Sequence, residues 1–309
     1  MKIAVIGAGA MGSVFGFFLA GAGQQVVLVN RWREHVEAIN RAGLEMEEEG
    51  VTHRLRVMAT MDAAEVGPVD LVLVFVKSYD TASAVDAAHR ITGPETLVLT
   101  LQNGLGNAET IAATVGEERT VCGTTAHGAT RLGPGRVSHR GSGETVLGPF
   151  RGPVTERIRQ IAEVFNATGL RTRVTDNALG ALWGKLLVNV GINALTAILS
   201  VPNGALLDHP GSRDLLSAAV SEASTVAARK GVVLPYADPL AHCVEVARAT
   251  GSNHSSMLQD VLNRRRTEID YINGAVVREG AALGIENPIN ETLMKLVQTI
   301  EASYTERVQ

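Results

Sequence analysis

Lys185, Asn189 and Asn193 recur one helical turn apart in the stretch WGKLLVNVGINALTAILS, residues 183–200, and Thr196 and Ser200 continue the series. Read as a helix at about 100° per residue, these five fall within an arc of roughly 80°, and the other sides are apolar. A helix that is apolar nearly all round is normally buried, so the polar stripe should face a cavity, a partner or a ligand. A buried ammonium without a counter-charge is costly, and the amides bring donors and acceptors that also need partners. Either the chain satisfies the stripe internally, or the stripe faces a ligand site.

A counter-charge is available further on. Glu268 is expected to begin an amphipathic helix in which Ile269, Ile272 and Val276 mark the buried side. It either complements a helix N-terminus or turns inward toward Lys185. Upstream, Ser255 or Ser256 in SSMLQD suits an N-cap, and Arg264, Arg265 and Arg266 read as a solvated face.

The second constellation lies at the N-terminus. KIAVI (2–6) is a strand pattern, Gly7-Ala8-Gly9-Ala10-Met11-Gly12 follows, Ser13 to Ala20 is helical in pattern, and QVVLV (25–29) is the next strand. A GxGxxG between strand and helix is a dinucleotide fingerprint: the first glycine makes the turn, the second admits the pyrophosphate, and the third lets helix and strand pack. The amides that open the helix then face the phosphates. The second strand ends in Asn30-Arg31-Trp32-Arg33. An NAD site usually has an acid here, whereas an arginine accommodates a 2′-phosphate. NADP(H) is therefore the expected cofactor, with Arg31 ahead of Arg33, since Trp32 and Arg33 already begin a helix. The alternative for either arginine is a solvated charge.

These residues need a parallel sheet to position them. DLVLVFV (70–76) is a further buried strand with Lys77 at its C-terminal end, and TLVLTL (96–101) is another, followed by QNGLGN with Asn103. That edge of an open sheet is where ligands bind. Lys77 is either beside the cofactor or simply exposed, and Asn103 either approaches it or belongs to an ordinary Asn-Gly turn. Residues 43–59 read as a hairpin, and the pieces between Val121 and Leu147 read as strands extending the sheet. His127 and His139 fall among them without metal spacing, and no metal site is expected. After a helix over 155–168 and a short strand over 171–174, strand signal fades and helical periods continue to the end. The chain reads as an α/β Rossmann-type N-terminal domain, residues 1–174, plus an all-α C-terminal domain, residues 175–309.

Composition agrees with an ordinary soluble protein and argues against other classes. The 309 residues carry a formal charge of −4, which leaves no electrostatic footprint for nucleic acid. Two cysteines far apart make no disulfide framework, so a cytoplasmic setting is the default. Lys185 and the asparagines interrupt the most apolar run, so no membrane span is expected.

Together, GAGAMG, LQNGLG (101–106), WGKLLVNVGINALTAI (183–198), PNGAL (202–206), and SSMLQD with RTEID (255–270) resemble the ketopantoate reductase (2-dehydropantoate 2-reductase) family, in family order over almost the whole chain. The resemblance implies NADPH-dependent reduction of ketopantoate to pantoate, on the way to pantothenate and coenzyme A, in a cleft between the two domains. By position it places the catalytic lysine on Lys185 and its partner glutamate on Glu268. Substrate contacts fall on Asn103, Asn189, Asn193, Asn203 and Ser256. Cofactor contacts fall on the glycine loop from Gly7 to Gly12, on Arg31 and Lys77, and also on Asn103 and Glu268. Arg264 departs from the small residue usual in relatives, and Asn30 and Trp32 make the 2′-phosphate corner individual. Alternatives are a reductase for a different 2-keto acid, of opine- or hydroxyacid-dehydrogenase type, and a non-catalytic NADP(H) sensor. The expected partner is a small 2-keto acid, and the apolar helical half suits a homodimer.

Overall fold

The β-branched run after Met1 forms strand β1 (Lys2–Ile6) and feeds helix α1 (Ala10–Gly21), and QVVLV forms β2 (Gln25–Val29). Helix α2 (Arg33–Ala42) is followed by β3 (Leu44–Glu48), β4 (Val51–Leu55), β5 (Met58–Thr60) and β6 (Val69–Val74). Next come α3 (Thr81–His89), β7 (Thr92–Thr100), α4 (Asn107–Val115), β8 (Thr120–Thr125), β9 (Gly128–Gly133), β10 (Arg136–Gly141), β11 (Thr145–Pro149), α5 (Glu156–Ala167) and β12 (Thr172–Val174). The remaining helices are α6 (Ala178–Leu199), α7 (Pro210–Arg229), α8 (Pro239–Ala249), α9 (Ser256–Leu262), α10 (Asn273–Ala281) and α11 (Pro288–Ala302). The structure, a computed structural model, describes residues 1–306. The chain divides into two units, residues 1–102 with 107–179 and residues 103–106 with 180 onward.

The first unit is built on an eight-stranded sheet of order β12-β11-β8-β7-β6-β1-β2-β5, parallel in every pair except β8 with β11. Strands β2 and β5 add to one side of β1, then β6, β7 and β8 to the other. The winding therefore reverses between β1 and β6, and a ligand crevice in such sheets lies beyond the strand ends at that reversal. Both faces are covered, as parallel sheets require. Ile3, Val5, Leu71, Leu73 and Leu99 share one core with Phe15, Val36 and Phe165 of α1, α2 and α5. Ala4, Ile6, Val72 and Val98 share the other with Val85 of α3 and Ile111 of α4.

Not all of residues 121–147 extend this sheet. β8 and β11 do, but β9 and β10 leave it and join β3 and β4 in a second sheet of order β4-β3-β10-β9. The reason lies in α1, which carries Val14, Phe15 and Leu19 fully buried and Phe17 and Phe18 partly so. A helix apolar on several sides needs cover on more than one. Leu44, Met46 and Val137 of the second sheet supply it from within the same core. A polar chain reinforces the joint: His127 Nδ1 lies 2.9 Å from His139 Nε2, and His139 Nδ1 lies 2.5 Å from Glu48 Oε1. Burial first, then the neighbouring His139, lowers the His127 pKa to about 4.

In the second unit α6 is the central rod. By length and hydropathy it is the one described helix that could cross a membrane, but 67% of its apolar window is buried within the protein. Gly191 permits the close packing: a Cβ there would stand 2.7 Å from Cys243 Sγ of α8 and 2.8 Å from Val220 Cγ2 of α7. Buried amides lock the neighbours, with Asn273 Nδ2 donating to Asn290 Oδ1 (3.0 Å) and Asn290 Nδ2 donating to Ala219 O (3.0 Å).

Phe15 joins these layers. It is fully buried and meets Phe75 at 4.9 Å and Phe165 and His127 at 5.8 Å between ring centroids. Phe15→Ala should cost about 3–5 kcal/mol in urea unfolding; a loss under about 1 kcal/mol would mean that the site collapses around the gap.

Candidate functional site

The glycine turn between β1 and α1 separates its three glycines by function. Gly7 has φ +91°, and a Cβ there would stand 2.5 Å from Val76 N; a Cβ on Gly12 would stand 2.5 Å from Gly7 O. The protein's own packing therefore requires both. Gly9 is different: an added Cβ would meet only Gly7 O, at 3.9 Å. Its bare Cα is not explained by any protein neighbour, whereas a diphosphate drawn close to the backbone explains it. Gly9 is also the N-cap of α1, with no side-chain cap and no acid in the first turn, which leaves the helix amides for an anion. This turn fits a dinucleotide.

Beneath the turn a buried relay fixes its shape. Gly135 N donates to His35 Nδ1 (2.9 Å), His35 Nε2 lies 3.3 Å from Ser13 Oγ, and Ser13 Oγ donates to Ala8 O (3.1 Å). Because Nδ1 accepts, the proton sits on Nε2 and points to Ser13. Burial, then the charge of Arg131, lowers the His35 pKa to about 4, which keeps the ring in this neutral form. Trp32 stacks on His35 with centroids 5.3 Å apart, and the Arg131 guanidinium lies 4.5 Å over the Trp32 ring. Sequence reasoning missed both His35 and Arg131, because hairpin β9–β10 comes to this corner only in three dimensions.

Arg31 is exposed beside Trp32 and pairs with Asp80 at 2.7 Å. Arg33 instead faces its own helix, 3.8 Å from Glu37. Lys77 is partly buried one residue beyond Val76, which packs against Gly7. Below the same sheet edge, Gln102 Nε2 donates to Val76 O (2.8 Å) and Thr81 Oγ1 (2.9 Å), Thr81 Oγ1 donates to Asn107 Oδ1 (2.8 Å), and Asn107 Nδ2 donates to Ser78 Oγ (3.1 Å). Two members of the QNGLGN run are thus scaffold.

Asn103 belongs with the helical unit. In its loop Leu105 N donates to Tyr271 O at 3.0 Å, and Gly104, at φ +82°, would clash through a Cβ with that same carbonyl at 2.4 Å. Only glycine lets the loop dock on the turn that begins at Glu268, since Tyr271 N donates back to Glu268 O.

The polar stripe of α6 divides. Lys185 and Asn189 are partly exposed and Asn193 is 5% exposed. Thr196 is fully buried; its Oγ1 donates to Ile192 O and Asn193 O and lies 2.7 Å from Ser255 Oγ. Ser200 lies outside the expected buried stripe: it is exposed just past the helix end, with φ +56°. Ser255 caps α9 by accepting from Leu258 N, which leaves Ser256 exposed. Asn203 is 8% exposed and donates to Thr250 Oγ1 at 2.9 Å, tying its turn to the segment before α9. Glu268 is 6% exposed. Burial lowers the Lys185 pKa to about 8, and the Glu268 charge opposes that fall.

Residues 3–152 match the profile of ketopantoate reductase PanE/ApbA, and residues 177–301 match its C-terminal profile. The chain belongs to the ketopantoate reductase family. It is 42% identical over 299 residues to a 2-dehydropantoate 2-reductase of Halobacterium salinarum, covering 96% of this chain and 98% of that one. A PanE/ApbA family ketopantoate reductase of Ralstonia eutropha superposes with TM-score 0.91 at 38% identity, over 99% of this chain and all of that one. A D-mandelate dehydrogenase solved with NADH and anilino(oxo)acetate superposes with TM-score 0.94 at 33% identity, over 99% and 100%. The family is one of oxidoreductases with the Rossmann-type fold found here.

The glycine assignment makes a paired prediction. Gly9→Ala should melt close to wild type yet lose most dinucleotide binding, whereas Gly7→Ala should lose stability by more than about 1 kcal/mol. Full NADPH affinity in Gly9→Ala, measured by calorimetry, would remove the turn from the site.

Proposed function

We propose that this protein reduces 2-dehydropantoate to pantoate with NADPH, residues 1–174 holding the cofactor and residues 175–309 the substrate. The observation that carries the reading is Lys185: an ammonium on a largely apolar helix, opposed by a buried glutamate, with its pKa brought to about 8. A general acid works best with a pKa near the operating pH. When bound at the glycine turn and Arg31, NADP(H) supplies the hydride that adds to the keto carbon.

The side chains do the rest. Protonated Lys185 polarises the keto oxygen, neutralises the charge that develops there and delivers its proton to the new alkoxide. Glu268 keeps Lys185 charged and oriented against the burial that would discharge it. Asn189, Asn193 and Ser256 bind the carboxylate and hydroxyl, and Asn103 orients the carbonyl. Asn203 adds a further substrate contact: its Nδ2 donates to Thr250, which holds the amide, and its buried Oδ1, with no partner among the described residues, is left to accept from the substrate. A sensor of NADP(H) would have no use for a lysine tuned in this way. A reductase of another 2-keto acid remains the second reading, favoured by the mandelate dehydrogenase similarity at TM-score 0.94. A cytoplasmic setting fits the two buried free thiols, and a homodimer fits the exposed Leu215, Leu240 and Leu296 of the helical unit.

NADPH oxidation against a panel of branched and aromatic 2-keto acids decides between the substrates; 2-dehydropantoate should give the highest kcat/KM, and a preference for an aryl keto acid would overturn the assignment. Lys185→Ala should lose about 10²–10⁴-fold in kcat while still binding NADPH, and wild-type turnover in that variant would end its role. The acid form is the active one, so kcat/KM should fall as pH rises through about 8. Glu268→Gln removes the charge that raises the lysine pKa, so this falling limb should move to lower pH; an unmoved limb would separate Glu268 from the proton.

A further inference from the structure

Two opposite charges meet beyond the ends of the sheet strands, and they follow different strands. Strand order β6-β1-β2 puts β1 in the middle. Arg31 follows β2 and Asp80 closes the turn after β6, yet Arg31 Nη2 lies 2.7 Å from Asp80 Oδ2. The pair therefore joins the two strands that flank β1, the strand leading into the glycine turn. Its side chains remain 73% and 31% exposed. An NAD site places a carboxylate at this corner for the ribose hydroxyls, and an NADP site places an arginine. This chain has both, the carboxylate arriving from the far side of β1.

We propose that Asp80 is a specificity-determining residue that acts through Arg31: it holds the guanidinium when the 2′ position bears a hydroxyl and yields it to a 2′-phosphate. The inference rests on the reading of the glycine turn as the NADP(H) site. A phosphate near −2 charge, with three acceptor oxygens, is a stronger partner for a guanidinium than a single carboxylate. An exposed ion pair is weak enough to be exchanged for it. With NADH the exchange has no counterpart, and the carboxylate stays where a ribose hydroxyl can donate to it. Asp80 thus narrows the preference for NADPH that Arg31 alone would give. Arg131, stacked on Trp32, keeps positive charge at the corner whichever partner Arg31 takes. Asp80 is the N-cap residue of α3 but makes no capping hydrogen bond through its side chain, so its replacement spares the helix.

The test is calorimetric titration of NADPH and of NADH, without keto acid, into wild type, Asp80→Asn, Asp80→Ala, Arg31→Ala and the Arg31→Ala/Asp80→Ala double variant. Both Asp80 variants should bind NADPH about two- to fivefold more tightly, with NADH unchanged or weaker, and the gain should shrink in the Arg31→Ala background. Asn is near-isosteric, so agreement between the Asn and Ala variants separates charge from shape. An unchanged NADPH-to-NADH ratio in Asp80 variants that melt like wild type would overturn the proposal, as would an undiminished gain without Arg31. Failure of wild type to bind either dinucleotide would overturn the reading of the glycine turn, and this inference with it.

Discussion

An ammonium held on the flank of a largely apolar helix is the constraint around which the helical unit is arranged. Removing Lys185 from bulk water disfavours its charged form, and the nearby negative charge of Glu268 offsets part of that penalty. The rod must stay packed for this balance to hold. Gly191 lets α7 and α8 approach it, and the turn that starts at Glu268 is tied through Tyr271 to the loop bearing Asn103. The residues expected to meet the substrate therefore hang on one packed assembly rather than on independent loops.

The first unit meets a different demand, that of an anion close to backbone. Its glycine turn is shaped from three directions: Val76 excludes a side chain at Gly7, Gly7 excludes one at Gly12, and the His35–Ser13 relay fixes Ala8. Gly9 alone is left bare toward open space. The second sheet, which covers the outer side of α1, also sends Gly135 and Arg131 to this corner. A strand addition that looks decorative in topology therefore serves both the core of α1 and the electrostatics beside Arg31.

Several polar residues of the signature motifs turn out to be scaffold. Gln102, Asn107, Thr196 and Ser255 are engaged in hydrogen bonds that hold strand ends or a helix cap. Their neighbours Asn103, Asn193 and Ser256 were indistinguishable from them by residue type. In a buried polar stripe every group must find a partner, and which groups find one inside the chain depends on what packs opposite.

Local chemistry in the chain was enough to read the α/β half, the glycine turn, the helical half and the α6 stripe as far as Thr196, but not that the helix ends before Ser200. Each rests on short-range rules: β-branched runs, glycine spacing and a 3.6-residue period. The second sheet, the His35 relay, the His127–His139–Glu48 chain and the Arg31–Asp80 pair were not legible, because each joins residues far apart in sequence through contacts with no periodic signature. The helix period could place Lys185, Asn193 and Thr196 on one face; only packing against the Ser255 cap decided that Thr196 is consumed by the structure. Spacing along the chain fixes which side of an element a residue takes, and tertiary contact decides what that side meets.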